Sequence, residues 1–193
     1  MINPEDCHHL TDSELVALSL KDSENFYCLM KRYEEKLLSY IHRFAGLPEE
    51  DAKDIVQESF INVYQHLNDY DSGLKFSSWL YRIVHNQTIN FIKKNKLSQK
   101  IELTDQDDNF VDWLVADTNI EKEALASHFN DYVVKILEKL KPEYKEILIL
   151  KFFEDKDYSE ISDILQKPMG TVATLISRAK IQFKKIYEKE NQY

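Results

Sequence analysis

The chain has 193 residues, an apolar fraction of 43% and a formal charge of −9. Its length suits one large domain or two small ones, and its apolar content excludes wholesale disorder. The net acidity argues against a protein that coats DNA by bulk charge, while only 3 Gly and 4 Pro disfavour turn-rich β folds and favour helices with short connections.

The first residues, MINPEDCHHL, are polar and acidic and do not read as a secretory signal. No apolar run approaches the roughly 20 residues of a membrane span, so no direct membrane insertion is expected. Cys7 and Cys28 form no C-x-x-C pair and are too few to staple a chain of this length, which predicts a reducing cytoplasmic setting. Thr11 and Glu14 have the spacing of a capping box that opens a short helix. Phe26, Leu29, Met30, Tyr33, Leu37, Leu38, Ile41 and Phe44 then form one helical stripe, closed by Gly46 and Pro48. A new helix starts at PEEDAKDIVQESF, with acids in its first turn and a core stripe of Ile55, Val56, Phe60, Val63, Tyr64 and Leu67. DYDSGLKF reads as a loop, and SSWLYRIVHNQTINFIKKNK as a strong helix ending in a basic cluster.

Residues 97–120 lose periodicity and hold the concentrated acid, with Lys100 alone against Glu102, Asp105, Asp107, Asp108, Asp112 and Asp117. This predicts a linker, with a brief helical turn around Trp113. Helix resumes with Leu125, Phe129, Val133, Ile136, Leu137 and Leu140 on one side, and Pro142 suits the first turn of the next helix. Asp157 and Glu160 form an Asp-led capping box before YSEISDILQ. KPMG reads as a turn, and the last helix places Val172, Ile176, Ala179, Phe183 and Ile186 on a buried face. The expected fold is all-α in two helical domains, 1–96 and 121–193, joined by the acidic linker.

Three constellations suggest function. A helix, a tight turn and a second helix is the arrangement that inserts a recognition helix into the major groove. On that helix Thr171, Ala173, Thr174, Ser177, Arg178 and Ile181 face out, with Lys180, Lys184 and Lys185 near enough for phosphate; the alternative is a plain helical hairpin. In the helix after DYDSGLKF, aromatic and basic side chains interleave, which suits single-stranded DNA. There Ser78, Tyr81, Arg82, His85, Asn86 and Lys93 are expected to be exposed, and Trp79 is either a stacking platform or core. Finally, Asp54, Gln57 and Glu58 share one helix face, which is either solvated or a dock for a basic partner. Asp105, Asp107 and Asn109 have the spacing of a calcium loop, but Phe110 and Ala116 stand where Gly and Glu are needed. Cys7, His8 and His9 lack a second metal-binding cluster. No catalytic motif is present, so neither an enzyme nor a cofactor is expected.

DAKDIVQESFINVYQHLNDYD followed by FSSWLYRIVHNQTINFIKK resembles region 2 of a bacterial sigma-70-type factor, and LKPEYKEILILKFFEDKDYSEISDILQKPMGTVATLISRAK resembles region 4. With only a short linker between them, the order is similar to the extracytoplasmic-function (ECF) class. The resemblance implies a transcription initiation factor that binds core RNA polymerase and recognises promoter DNA. Asp54, Gln57 and Glu58 would meet the clamp helices of the largest subunit. Ser78, Trp79, Tyr81, Arg82, His85, Asn86 and Lys93 would read and melt the −10 element. Thr171, Ala173, Thr174, Ser177, Arg178 and Lys180 would read the −35 element, while the hydrophobic side of region 4 meets the flap of the second-largest subunit. Such factors are commonly held by an anti-sigma factor. Ala173 and Leu175 stand where relatives usually carry cations, which predicts weak −35 binding or an A/T-rich element. Two rival readings remain at this stage: an autonomous helix-turn-helix regulator, and a degenerate factor acting only as an interaction protein.

Overall fold

The computed structural model describes residues 6–102 and 132–190, and among these no strand occurs. The described residues form two helical clusters. The first holds α1 (Asp12–Lys21), α2 (Phe26–Ala45), α3 (Glu49–Gln65) and α4 (Phe76–Glu102), with 3-10 helices at Asp6–His9, Ser23–Asn25 and Leu67–Asp69. The second holds α5 (residues 132–138), α6 (Pro142–Phe152), α7 (Tyr158–Leu165) and α8 (Met169–Glu190). The helical turn expected around Trp113, the calcium-like run at Asp105, Asp107 and Asn109, and Leu125 and Phe129 lie outside the described residues.

Local signals set most helix ends. Thr11 caps α1 through a reciprocal box with Glu14, and Asp157 does the same for α7 with Glu160. Gly46 ends α2 in the left-handed conformation at φ 62°, which glycine adopts without strain. Pro142 occupies the first turn of α6, where its missing N–H is not needed. Replacing Asp157 by Ala should cost about 1 kcal/mol, seen in thermal unfolding as a Tm lower by roughly 2–4 °C.

Some boundaries depart from the sequence reading. α4 runs on to Glu102, past the expected domain end at 96. The turn before α8 is Gln166–Pro168, with Gln166 left-handed at φ 52°, so Met169 and Gly170 belong to α8 rather than to the turn. Pro168 caps α8 by accepting from the amides of Thr171 and Val172.

The core of the first cluster includes Leu29, Leu37, Tyr40, Ile41, Val63 and Leu80, all fully buried or nearly so. Burying each such side chain is worth about 1.5–3 kcal/mol. Two expected stripe members, Met30 and Tyr64, are instead 36% and 44% exposed. Tyr64 still rests its ring on Phe26, 5.2 Å away, so it lies at the stripe's edge. Tyr40, which the periodic reading passed over, is fully buried. Cys7 and Cys28 are joined in a disulfide. The sequence reading did not pair them, because 21 residues of chain separate them and no local motif announces the contact.

Candidate nucleic-acid interface

α3 turns Ile55, Val56, Ser59 and Phe60 inward and leaves Asp54, Gln57 and Glu58 exposed. The helix is fixed to α4 because the Ser59 hydroxyl bridges Ile55 O at 2.7 Å and Gln87 Oε1 at 2.9 Å. One turn beyond Glu58, Ile61 is 58% exposed and continues the same face. The sequence reading missed Ile61, although its spacing of seven from Asp54 was the available signal.

α4 departs more from expectation. Ser78 and Tyr81, expected to be open, are each 1% exposed. His85 is mostly covered as well, with 14% of its side chain exposed. Arg82 is half-buried, and Asn86 and Lys93 are open. Trp79 is half-buried in an aromatic cluster with Tyr70 at 5.3 Å and Phe76 at 5.9 Å. The Tyr70 hydroxyl donates to Leu74 O, and Gly73 N donates to Asp71 Oδ1 at 2.8 Å. These bonds shape the loop that presents the cluster.

Tyr81 and His85 are covered from two sides, by Tyr40 and Phe44 of α2 and by the second cluster. α7 packs on α4, and α6 packs on α2. The polypeptide reverses after α6 through Asp155, left-handed at φ 49°, with Glu154 N bonded to Ile149 O and Lys156 N to Leu150 O. This turn delivers Glu154 and Lys156 to the seam. Glu154 accepts from the Tyr81 hydroxyl at 2.6 Å and meets Arg43 at 3.4 Å. Lys156 Nζ sits 4.3 Å from the Tyr81 ring centroid, a cation–π contact. Lys75 pairs with Asp157 at 3.0 Å and Glu160 at 3.3 Å, and Ser77 donates to Glu160 at 3.3 Å. Deeper in the seam, His85 Nδ1 lies 2.8 Å from Glu146 Oε1 and 3.2 Å from the Tyr40 hydroxyl.

The electrostatics follow this burial. Removal from water, then the charge of Glu154, hold the Tyr81 phenol well above its usual range. Burial pulls the Lys156 ammonium below its usual range, against the opposing pull of Glu160 and Glu154. The carboxylates of the second cluster thus lie against Lys75, just before α4, and against Tyr81 and His85 along it.

α8 matches its expectation closely. Val172, Ile176 and Ala179 are buried, while Thr171, Ala173, Thr174, Ser177 and Arg178 are exposed side by side. The Thr174 hydroxyl donates to Gly170 O at 2.8 Å, which leaves its lone pairs facing outward. Two details differ from expectation. Leu175 is half-buried and packs against the core, so it is not an open position vacated by a cation. Lys180 is exposed, but its Nζ lies 5.0 Å from the Phe152 ring centroid, on the α6 side of the helix. On that side Val133, Leu137, Leu148, Phe152, Phe153 and Phe183 line an apolar cleft of about 260 Å³. Phe152 is 55% exposed there.

Comparisons with known proteins place the chain in a family. Residues 29–98 match the family model for sigma-70 region 2, and residues 130–183 match that for sigma-70 region 4. An ECF RNA polymerase sigma factor of Bacillus subtilis, SigW, is 32% identical over 85% of this chain and 89% of its own length. The ECF RNA polymerase sigma-E factor of Escherichia coli K12 is 30% identical over 89% and 91% respectively. Among solved structures, CnrH in complex with the cytosolic domain of CnrY shares the fold with a TM-score of 0.67 at 21% identity, covering 92% of this chain and 97% of that one. RpoE of Bartonella quintana, in complex with the anti-sigma factor NepR, gives 0.66 at 16% identity, covering 86% and 98%.

Proposed function

The chain belongs to the ECF class of the bacterial sigma-70 family, and from that premise we propose how its surfaces divide the work of starting transcription. It binds core RNA polymerase and directs it to promoters, and the bond-making chemistry belongs to the polymerase. The unit spanning 1–96 docks the polymerase clamp through Asp54, Gln57 and Glu58 and takes the −10 strand. The unit spanning 121–193 takes the −35 duplex, and residues 97–120 connect the two. The apolar cleft beside Phe152 suits the polymerase flap. An anti-sigma factor is the regulatory partner expected of this class.

The observation that carries this reading is the exposure pattern of α8. Its inward side chains are apolar and fully buried, while Thr171, Ala173, Thr174, Ser177 and Arg178 form an open polar face on the second helix of a helix-turn-helix. Arg178 suits bidentate contact with guanine or a phosphate, and Ala173 suits a thymine methyl. Because Glu154 and Lys156 lie on Tyr81, reading of the −10 strand by α4 requires the two clusters to part. Arg82, Asn86 and Lys93 stay accessible for first contact, the half-buried Trp79 is presented by the Tyr70 loop, and Tyr81 and His85 become more available on opening.

Footprinting of the reconstituted holoenzyme tests the assignment. Ala173→Lys adds a cation to an open position and should strengthen −35 protection several-fold. It should also steepen the salt dependence of binding by about one phosphate contact, a log–log slope change near 0.9. Unchanged protection and slope would mean that Ala173 does not face DNA.

A further inference from the structure

We propose that Cys7 and Cys28 form a redox-responsive modification site: a dithiol that a hydroperoxide closes into a disulfide and that a cellular dithiol reopens. The two residues lie on different elements, Cys7 on the 3-10 helix Asp6–His9 and Cys28 in the first turn of α2, with Cα atoms 5.5 Å apart. That separation is within the range a disulfide spans. They are only 7% and 3% exposed, so the pair is part of the packed structure. A factor of this class works on RNA polymerase in a reducing compartment, where a disulfide is typically transient or sensing rather than permanent; this step rests on the function proposed above.

Arg32 supplies the preorganisation. It lies one helical turn beyond Cys28, and its Nη2 donates to Cys7 O and to Leu10 O at 2.6 Å each. Its Nη1 meets Asp12 Oδ1 at 2.6 Å. The backbone that carries Cys7 is therefore tied to the helix that carries Cys28. The same three bonds keep the N-terminal segment docked when the sulfurs are not joined, so re-closure needs no search.

The chemistry balances with a hydroperoxide as oxidant. The Cys7 thiol gives up its proton and its sulfur attacks a peroxide oxygen; the O–O bond breaks, and the departing oxygen takes that proton and leaves as an alcohol or water, with a sulfenic acid left on Cys7. The Cys28 thiol attacks that sulfur, the S–S bond forms, and water leaves with the second proton. The two thiols lose two electrons, and the peroxide gains them. A dithiol reverses the change by exchange.

The closed form bears on the −10 surface. Asp12, held by Arg32, accepts from the Tyr33 hydroxyl at 2.5 Å. The Tyr33 ring lies 5.9 Å from Phe76, and Phe76 packs on Tyr70 and Trp79. Arg32, Asp12 and Tyr33 thus link the staple to the aromatic cluster of Tyr70, Phe76 and Trp79.

The test compares the intact chain after hydrogen peroxide and after dithiothreitol, by alkylation with mass spectrometry and by thermal unfolding. Peroxide should yield a species lighter by two hydrogens that takes up no alkylating agent. Its Tm should lie about 5–10 °C above that of the reduced form, from closure of a loop of this length. Cys7→Ser and Cys28→Ser should each show the lower Tm under both treatments. Alkylation of both thiols after peroxide, or one Tm for both forms of the natural chain, would overturn the proposal. Neither readout requires transcription, so failure of the sigma-factor reading would be seen separately.

Discussion

Reversing charge at Asp54 and Glu58 together, as Asp54→Lys with Glu58→Lys, is expected to abolish core-polymerase binding while leaving the fold intact. Both side chains are exposed and no partner in the first cluster depends on them, so the stability change should stay within about 0.5 kcal/mol. At an interface built for acids, two like-charge contacts cost several kcal/mol, which is at least a 100-fold loss of affinity at about 1.4 kcal/mol per tenfold. Competition of the variant against the natural chain for purified core polymerase reads the affinity, and circular dichroism reads the fold. Ile61→Asp should weaken binding as well, because Ile61 is 58% exposed on the same face. Native affinity in the double variant would remove α3 from the interface.

Glu154→Ala should open the seam between the two clusters. Glu154 is the shared acceptor of the Tyr81 hydroxyl and of Arg43, with only 5% of its side chain exposed. Arg43 is 35% exposed, so it rehydrates readily once its partner is gone. Tyr81 has no such route, and a buried hydroxyl left without an acceptor costs about 1–3 kcal/mol. Parting of the clusters relieves that cost, so the closed-to-open ratio should fall by roughly tenfold or more. Two readings follow in the isolated chain: a larger radius of gyration in solution scattering, and tighter binding of a single-stranded −10 oligonucleotide. Lys75→Ala should act in the same direction, more weakly, because Lys75 is 60% exposed and exposed pairs contribute about 0–1 kcal/mol. An unchanged radius together with unchanged oligonucleotide affinity would show that the carboxylates do not guard α4.

Much of this was legible in the sequence wherever local physics decides. Both capping boxes, Gly46, Pro142 and the Val172–Ile176–Ala179 face follow from spacing alone, and the structure agrees with each. The polar face of α3 was legible for the same reason, since its exposure depends only on helix phase. What escaped was set by contacts remote in sequence. Ser78 and Tyr81 are polar enough to read as exposed, yet Tyr81 packs on Tyr40 and is covered by Glu154 and Lys156, more than 70 residues away. The Cys7–Cys28 pair depends on how the first 3-10 helix folds back over α2, which no period encodes. Leu175 stands where the resemblance leads one to expect a cation, and its packing against the core is what helix phase and resemblance do not encode.

Run-off transcription with purified core polymerase on a genomic fragment library, with and without the chain, tests the central claim most directly. The account predicts start sites that appear only on addition of the chain and share two upstream elements. Those sites should disappear when Asp54→Lys and Glu58→Lys are introduced together. No new start sites, from a chain shown to bind core polymerase, would contradict it and point to an interaction protein. No new start sites and no binding would contradict it in favour of an autonomous DNA-binding regulator.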